Sequence, residues 1–159
     1  MDTYLLADKI VFDSKPDAVP YNYRISYKMA QICLVIAKSC RGRAGCSLVK
    51  LHIVCNALST YRLKKELLDY VAGKTSFMIV RFDPAVNRAL RYAVADKLAD
   101  QLQNGTFKLT DRGKDYVRRI GSEEILLEEK MFLKELGTGL TNEKIEHLMS
   151  MWRYRNAED

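Results

Sequence analysis

Three features of the 159-residue sequence predict a mainly α-helical fold with one small β wing. Apolar residues recur at helical spacing through most of the chain. Asn104-Gly105 sits between two short alternating runs, the strongest local signal for a hairpin; a type I′ turn with positive φ at both residues is expected. Asp83-Pro84 launches a helix just before that hairpin, and Thr110 or Asp111 opens another just after it. Helix, hairpin and helix in this order end a winged helix-turn-helix-like domain. The expected organisation is an N-terminal arm (1–22), this domain (23–120) and a C-terminal helical extension for docking (121–159).

In the arm, Ile10-Val11-Phe12 suits a short strand, and Asp13 to Asp17 with Pro16 and Pro20 suits a loop. Such an arm docks on its own domain or on another chain. From Tyr23 to about Cys40, Ile25, Met29, Ile32, Ile36 and Cys40 form one stripe. Leu34, Val35 and Ala37 extend it almost around the helix, so the helix belongs in a core or an interface. Arg41-Gly42-Arg43-Ala44-Gly45 ends it, leaving two arginines either to contact phosphate or to favour the negative end of the helix dipole.

Ser47 can cap a helix with Leu48, Leu51, Cys55 and Leu58 on one face, and Ser59-Thr60 caps another from Tyr61 to about Ala72. Phe77–Phe82 is short and rich in β-formers, which predicts a strand. In the helix after it, Val86, Leu90, Val94 and Leu98 face inward, while Asn87, Arg88, Arg91 and Tyr92 face out. The wing strands are expected at 98–103 and 106–110. Beyond Gly121, Ser122-Glu123-Glu124 is expected to cap a helix, Gly137-Thr138-Gly139 to break it, and Thr141 to cap the last one. Leu126, Phe132, Leu136, Leu148 and Trp152 give this helical pair an apolar face, fit for a lid or for docking a partner. Docking is the expectation, because the preceding domain already has enough helices to close.

At 48% hydrophobic, the chain can bury a core without disulfides or metal. Cys33, Cys40, Cys46 and Cys55 have no C-x₂-C spacing and read as buried free thiols of a cytoplasmic protein, with no cofactor. No basic-apolar leader and no run long enough to span a membrane is visible. The formal charge of +6 is unevenly spread. Residues 1–22 carry 2 basic and 4 acidic side chains, residues 23–120 carry 19 and 7, and residues 121–159 carry 5 and 9. A basic centre between acidic ends suits a polyanionic or acidic partner, or neutralisation within the fold.

Catalysis finds no support in the residues. His52 has no suitably spaced Ser, Cys or carboxylate partner, the central acids fall at caps and exposed faces, and Gly42-x-x-Gly45 lacks a following Lys-Ser/Thr. The candidate nucleic-acid contacts are Arg88 and Arg91, three apart on one helix face, with Lys108, Arg112, Lys114, Arg118 and Arg119 for phosphates.

The runs R-F-D-P-A-V-N-R-A-L-R-Y-A-V-A from Arg81, N-G-T-F-K-L-T-D-R-G from Asn104 and G-C-S-L-V-K-L-H-I-V-C-N-A-L from Gly45 carry a resemblance. Together they resemble the small middle component of ABC-three-component systems, bacterial operons with an SMC-like ATPase and an effector that include the Lamassu anti-phage and anti-plasmid systems. The resemblance covers 47–120, about half the chain. It implies a non-catalytic adaptor bridging the ATPase and a nuclease-like effector. The basic face adds an expected non-specific contact to double-stranded DNA, and the lack of a long apolar run adds no membrane. The resemblance also implies that Asp83, Pro84, Asn87 and Leu90 mark a helix start, and that Gly105, Leu109, Thr110 and Gly113 mark the wing and its exit. A free-standing winged-helix regulator is the alternative. The expected strand at 77–82 counts against it, because base-reading helix pairs follow one another directly.

Overall fold

The computed structural model describes residues 24–40 and 42–157; the expected arm and Arg41 lie outside them. The fold is built around helix α1 (Ile25–Ser39), which buries every residue from Ala30 to Ile36. A helix apolar on nearly all sides needs neighbours on nearly all sides. After a 3₁₀ turn (Gly42–Ala44) come α2 (Leu48–Ala57), α3 (Tyr61–Val71), α4 (Pro84–Ala95), strands β1 (Ala99–Gln101) and β2 (Phe107–Leu109), and α5 (Asp111–Ser122). Helices α6 (Leu127–Leu136) and α7 (Asn142–Asn156) complete the described chain. Helices α2, α4, α5, α6 and strand β2 all pack on α1.

Five of the expected caps form. Ser47, Thr60, Thr110 and Thr141 each accept from the backbone N–H three residues on, and Asp83 accepts from Ala85 N–H at 2.9 Å with Pro84 in the first turn of α4. Asp83 also meets the buried Lys28 ammonium of α1 at 3.4 Å, which fixes where α4 starts against α1.

The hairpin is antiparallel, with Ala99 opposite Leu109, Asp100 opposite Lys108 and Gln101 opposite Phe107. Its turn differs from the expected type I′. Leu102 N–H donates to the Thr106 carbonyl and Gly105 N–H to the Leu102 carbonyl, and only Gly105 takes a positive φ, of 82°. This three-residue loop is a type I turn closed by a left-handed glycine, so Asn104 need not adopt positive φ. Asn104 instead accepts from Thr106 N–H at 3.1 Å, and Thr106 Oγ1 donates to the Ala44 carbonyl at 2.6 Å. On its other side β2 exchanges two backbone bonds with Cys46, at 2.7 and 2.9 Å, which adds a one-residue third strand. Both strands are three residues long, shorter than expected.

Two further expectations fail. Phe77–Phe82 is not a strand and pairs with none among the described residues; its backbone is met by side chains instead, Asn56 Oδ1 accepting from Arg81 N–H at 3.2 Å and Trp152 Nε1–H donating to the Met78 carbonyl at 3.1 Å. Its β-forming side chains are used for packing, and Ile79 remains 66% exposed. The helix expected to start at Ser122 does not: α5 continues through Gly121 to Ser122, and α6 begins only after Leu126, whose φ is 51°. Ser122 Oγ donates back to the Arg119 carbonyl, closing α5 rather than opening α6.

One continuous core holds the described chain together, and it includes Phe132, Leu133, Leu136, Leu140, Ile145 and Leu148. Tyr70 O–H donates to the Lys144 carbonyl at 2.6 Å, while Lys144 Nζ donates to the Val71 carbonyl at 2.7 Å, so α7 is pinned to the end of α3. Among the described residues, no helix is long and apolar enough to cross a membrane.

Candidate functional site

All seven candidate nucleic-acid contacts are exposed, but they do not form one surface. On α4, Val86, Ala89, Leu90 and Ala93 are buried, which turns Arg88, Arg91 and Tyr92 outward. Arg91 lines a groove of about 430 Å³ with Leu48, Asn87 and Leu90, closed on the wing side by Gln101 and Phe107. His52, buried beneath α4, anchors this face: its Nε2 lies 3.0 Å from Asn87 Oδ1, and its ring meets the Phe82 edge with centroids 4.8 Å apart. His52 is therefore a positioning residue for α4.

The second basic surface is a groove of about 700 Å³ between the end of α1, β2 and α5. Lys108, Lys114 and Arg118 line it together with Arg43, over an apolar floor that includes Ile36, Leu109 and Val117. The two grooves have only Phe107 in common. Helix α5 divides its own cations as well. Gly113, Val117 and Ile120 turn toward the core, so at 100° per residue Lys114 and Arg118 fall on one flank and Arg112 and Arg119 on the other. Arg118 pairs with Asp115 at 2.7 Å and Lys114 with Asp111 at 3.3 Å, so part of this charge is locally compensated. Gly113 lets α5 approach the hairpin base, since a Cβ there would lie 2.0 Å from the Leu98 carbonyl oxygen.

The C-terminal docking candidates sit largely inside the molecule. Phe132, Leu136 and Leu148 are buried, and Leu126 and Trp152 are half-buried against the same core. Trp152 stacks edge-on against Phe82 with centroids 5.9 Å apart besides its bond to Met78. The helical pair is a lid on the core, because its strongest apolar stripe finds α1, α3 and the 77–82 segment. The exposed large apolar residues of this region are Ile125, Leu127, Met131 and Tyr154, of which Leu127 and Met131 lie four apart on one face of α6.

The cysteines are free, and Cys33, Cys46 and Cys55 are buried. Burial pushes the Cys33 and Cys55 thiols up to about 12. Among the described residues no cluster of His, Cys, Asp and Glu could hold a metal ion. The sequence leaves Arg43 between two roles; its place in the second groove becomes visible only once Cys46 is seen to pair with β2, a single-residue bridge too short to leave a sequence signal. Comparison with protein-family models, with curated proteins and with solved structures finds no match to this chain.

Proposed function

We propose that the chain is a non-catalytic accessory subunit that bridges an SMC-like ATPase and a nuclease-like effector in a cytoplasmic bacterial anti-phage or anti-plasmid complex. Its core is a winged-helix-like unit: α1, the Cys46 bridge, α2, α4 and the hairpin follow the order of that fold, with α3 and the 77–82 segment inserted. The observation that carries the reading is that the exposed cations do not share one groove: Lys108, Lys114 and Arg118 line one with Arg43, whereas Arg91 lines another and Arg88 stands beside it on the outer face of α4. A bridging subunit needs two separate binding surfaces, whereas a DNA reader concentrates its cations along one. The groove with Lys108, Lys114 and Arg118 has an apolar floor and suits an acidic protein segment. The face with Arg88 and Arg91 suits the phosphate backbone of double-stranded DNA, bound without sequence preference.

One observation favours a winged-helix regulator as the second reading. No strand stands between α3 and α4, which removes the objection expected from 77–82. However, α3 and a 12-residue connection still separate α2 from α4, so the two do not form a tight reading pair. Titration of DNA at graded salt separates the two. The adaptor binds related and unrelated duplexes alike, and replacing Arg88 and Arg91 by Ala lowers the salt slope by about 1 for each phosphate no longer neutralised. Preference for one operator by a thousandfold or more would establish the regulator instead.

A further inference from the structure

The pairing of the hairpin leaves one position of β2 open. Thr110 N–H donates to the Leu98 carbonyl and Leu102 N–H to the Thr106 carbonyl, which sets the phase of the ladder. Bonded and non-bonded pairs alternate between antiparallel strands, so Asp100 and Lys108 bond each other, while Phe107 and Leu109 turn their N–H and C=O away from β1. Phe107 gives both groups to Cys46, at 2.7 and 2.9 Å. Leu109 has no backbone partner on that side among the described residues. The chain that would continue the third strand past Cys46 bends off instead. Gly45 takes a φ of 74°, and the Ala44 carbonyl accepts from Thr106 Oγ1 at 2.6 Å, over the loop end of the hairpin.

The slot beside Leu109 is the basic groove. Its apolar floor runs from Ile36 at the end of α1 past Leu109 to Val117 on α5, and Arg43, Lys108, Lys114 and Arg118 line it with no acidic residue among them. Arg43 and Lys108 form no ion pair among the described residues. Lys114 and Arg118 hold Asp111 and Asp115, whose side chains are 98% and 61% exposed; such solvated pairs contribute little and exchange readily for another carboxylate. An occupant therefore has to offer backbone groups to Leu109, apolar side chains to the floor and carboxylates to the rim. Duplex DNA offers only negative charge. An acidic helix offers charge and apolar side chains, but its backbone bonds are made internally, and Leu109 stays unpaired. An extended acidic peptide meets all three needs.

We propose that this groove takes an extended acidic segment of a partner protein, which adds to the sheet as a strand beside Leu109, in line with Cys46. The proposal rests on the bridging reading above and specifies what the partner presents to this surface. Backbone bonds to Leu109 set the register of the added strand. Successive side chains of a strand face opposite ways, so alternate apolar residues cover Ile36 and Val117, and the acidic residues between them meet the cationic rim.

The test titrates the nitrogen-15-labelled full chain with capped hexapeptides, reading backbone amide shifts and hydrogen exchange. The probes are an alternating Val/Glu peptide, its Val/Lys and Gly/Glu counterparts, and the Val/Glu peptide N-methylated along its backbone. Expected are saturable binding of the Val/Glu peptide, slowed exchange of the Leu109 amide, and affinity roughly tenfold or more lower for each of the other three, on the scale of a lost close charge pair. Lys114→Glu with Arg118→Glu, both exposed positions, lowers the Val/Glu affinity by a similar factor. No saturable binding, unchanged Leu109 exchange in the complex, equal affinity for the N-methylated peptide, or displacement of the peptide from this groove by a short DNA duplex would overturn the proposal. The bridging reading fails separately. A complex with ATPase and effector in which Leu109 exchange is unchanged overturns strand addition alone, whereas recovery of neither subunit overturns bridging.

Discussion

Asp83 performs two tasks with one carboxylate, capping α4 and neutralising the buried Lys28. Replacing it by Ala should cost about 2 kcal/mol, about 1 of it from the missing cap and the rest from stranding the ammonium, discounted because Asp83 is partly exposed. Asp83→Asn keeps the cap acceptor and should recover about half of that; urea midpoints of the three proteins check this. At Gly113 a Cβ would drive into the Leu98 carbonyl, so Gly113→Ala should cost roughly 1–3 kcal/mol in the same assay. The buried thiols set a pH dependence. Cys33 and Cys55 are raised from 9.0 to about 12 on folding, so between those values the unfolded chain has released protons that the folded chain keeps. Their stabilising contribution is full below the unfolded pKa and falls as pH rises through this window, with an upper slope of about 1.4 kcal/mol per pH unit for each thiol. Cys33→Ala should flatten the alkaline decline in melting temperature.

At the scale of elements, the C-terminal helical pair behaves as core rather than as an appendage. Leu148 is 0% exposed, and Leu148→Ala should cost roughly 2–5 kcal/mol, a penalty that a pure docking residue would not show in the isolated chain. Thermal melts of the variant and its parent measure it. Caps and amphipathic stripes are legible in the sequence because they are local: Ser47, Thr60, Asp83, Thr110 and Thr141 all cap as their side chains predict. What the stripe on α6 and α7 cannot say is which surface it covers, since lid and docking face share one pattern. Phe77–Phe82 misleads for a related reason. Its β-formers fit an extended backbone, but whether a second strand arrives is decided by distant residues, and here Asn56 and Trp152 arrive first. The hairpin lies where the sequence puts it, and only its loop class changes, because Asn104 bonds forward to Thr106 instead of taking positive φ.

At the scale of the whole molecule, the basic centre read from charge counts resolves into two surfaces that no linear count could separate. Helix α5 turns Lys114 and Arg118 to one flank and Arg112 and Arg119 to the other, while α4 carries Arg88 and Arg91 on its own outer face. If the first flank docks an acidic protein and the α4 face contacts DNA, the two functions should separate by mutation. Lys114→Glu with Arg118→Glu should abolish partner binding yet leave stability within about 0.5 kcal/mol, since both residues are exposed. Purification of a tagged chain from cells expressing its neighbouring genes, with composition read by mass spectrometry, bears most directly on the bridging role. The bridging subunit recovers an SMC-like ATPase and an effector in fixed ratio, and the Lys114→Glu, Arg118→Glu variant fails to recover one of them while keeping the other. Recovery of the chain alone, as a monomer or dimer bound only to DNA upstream of its own gene, would contradict it.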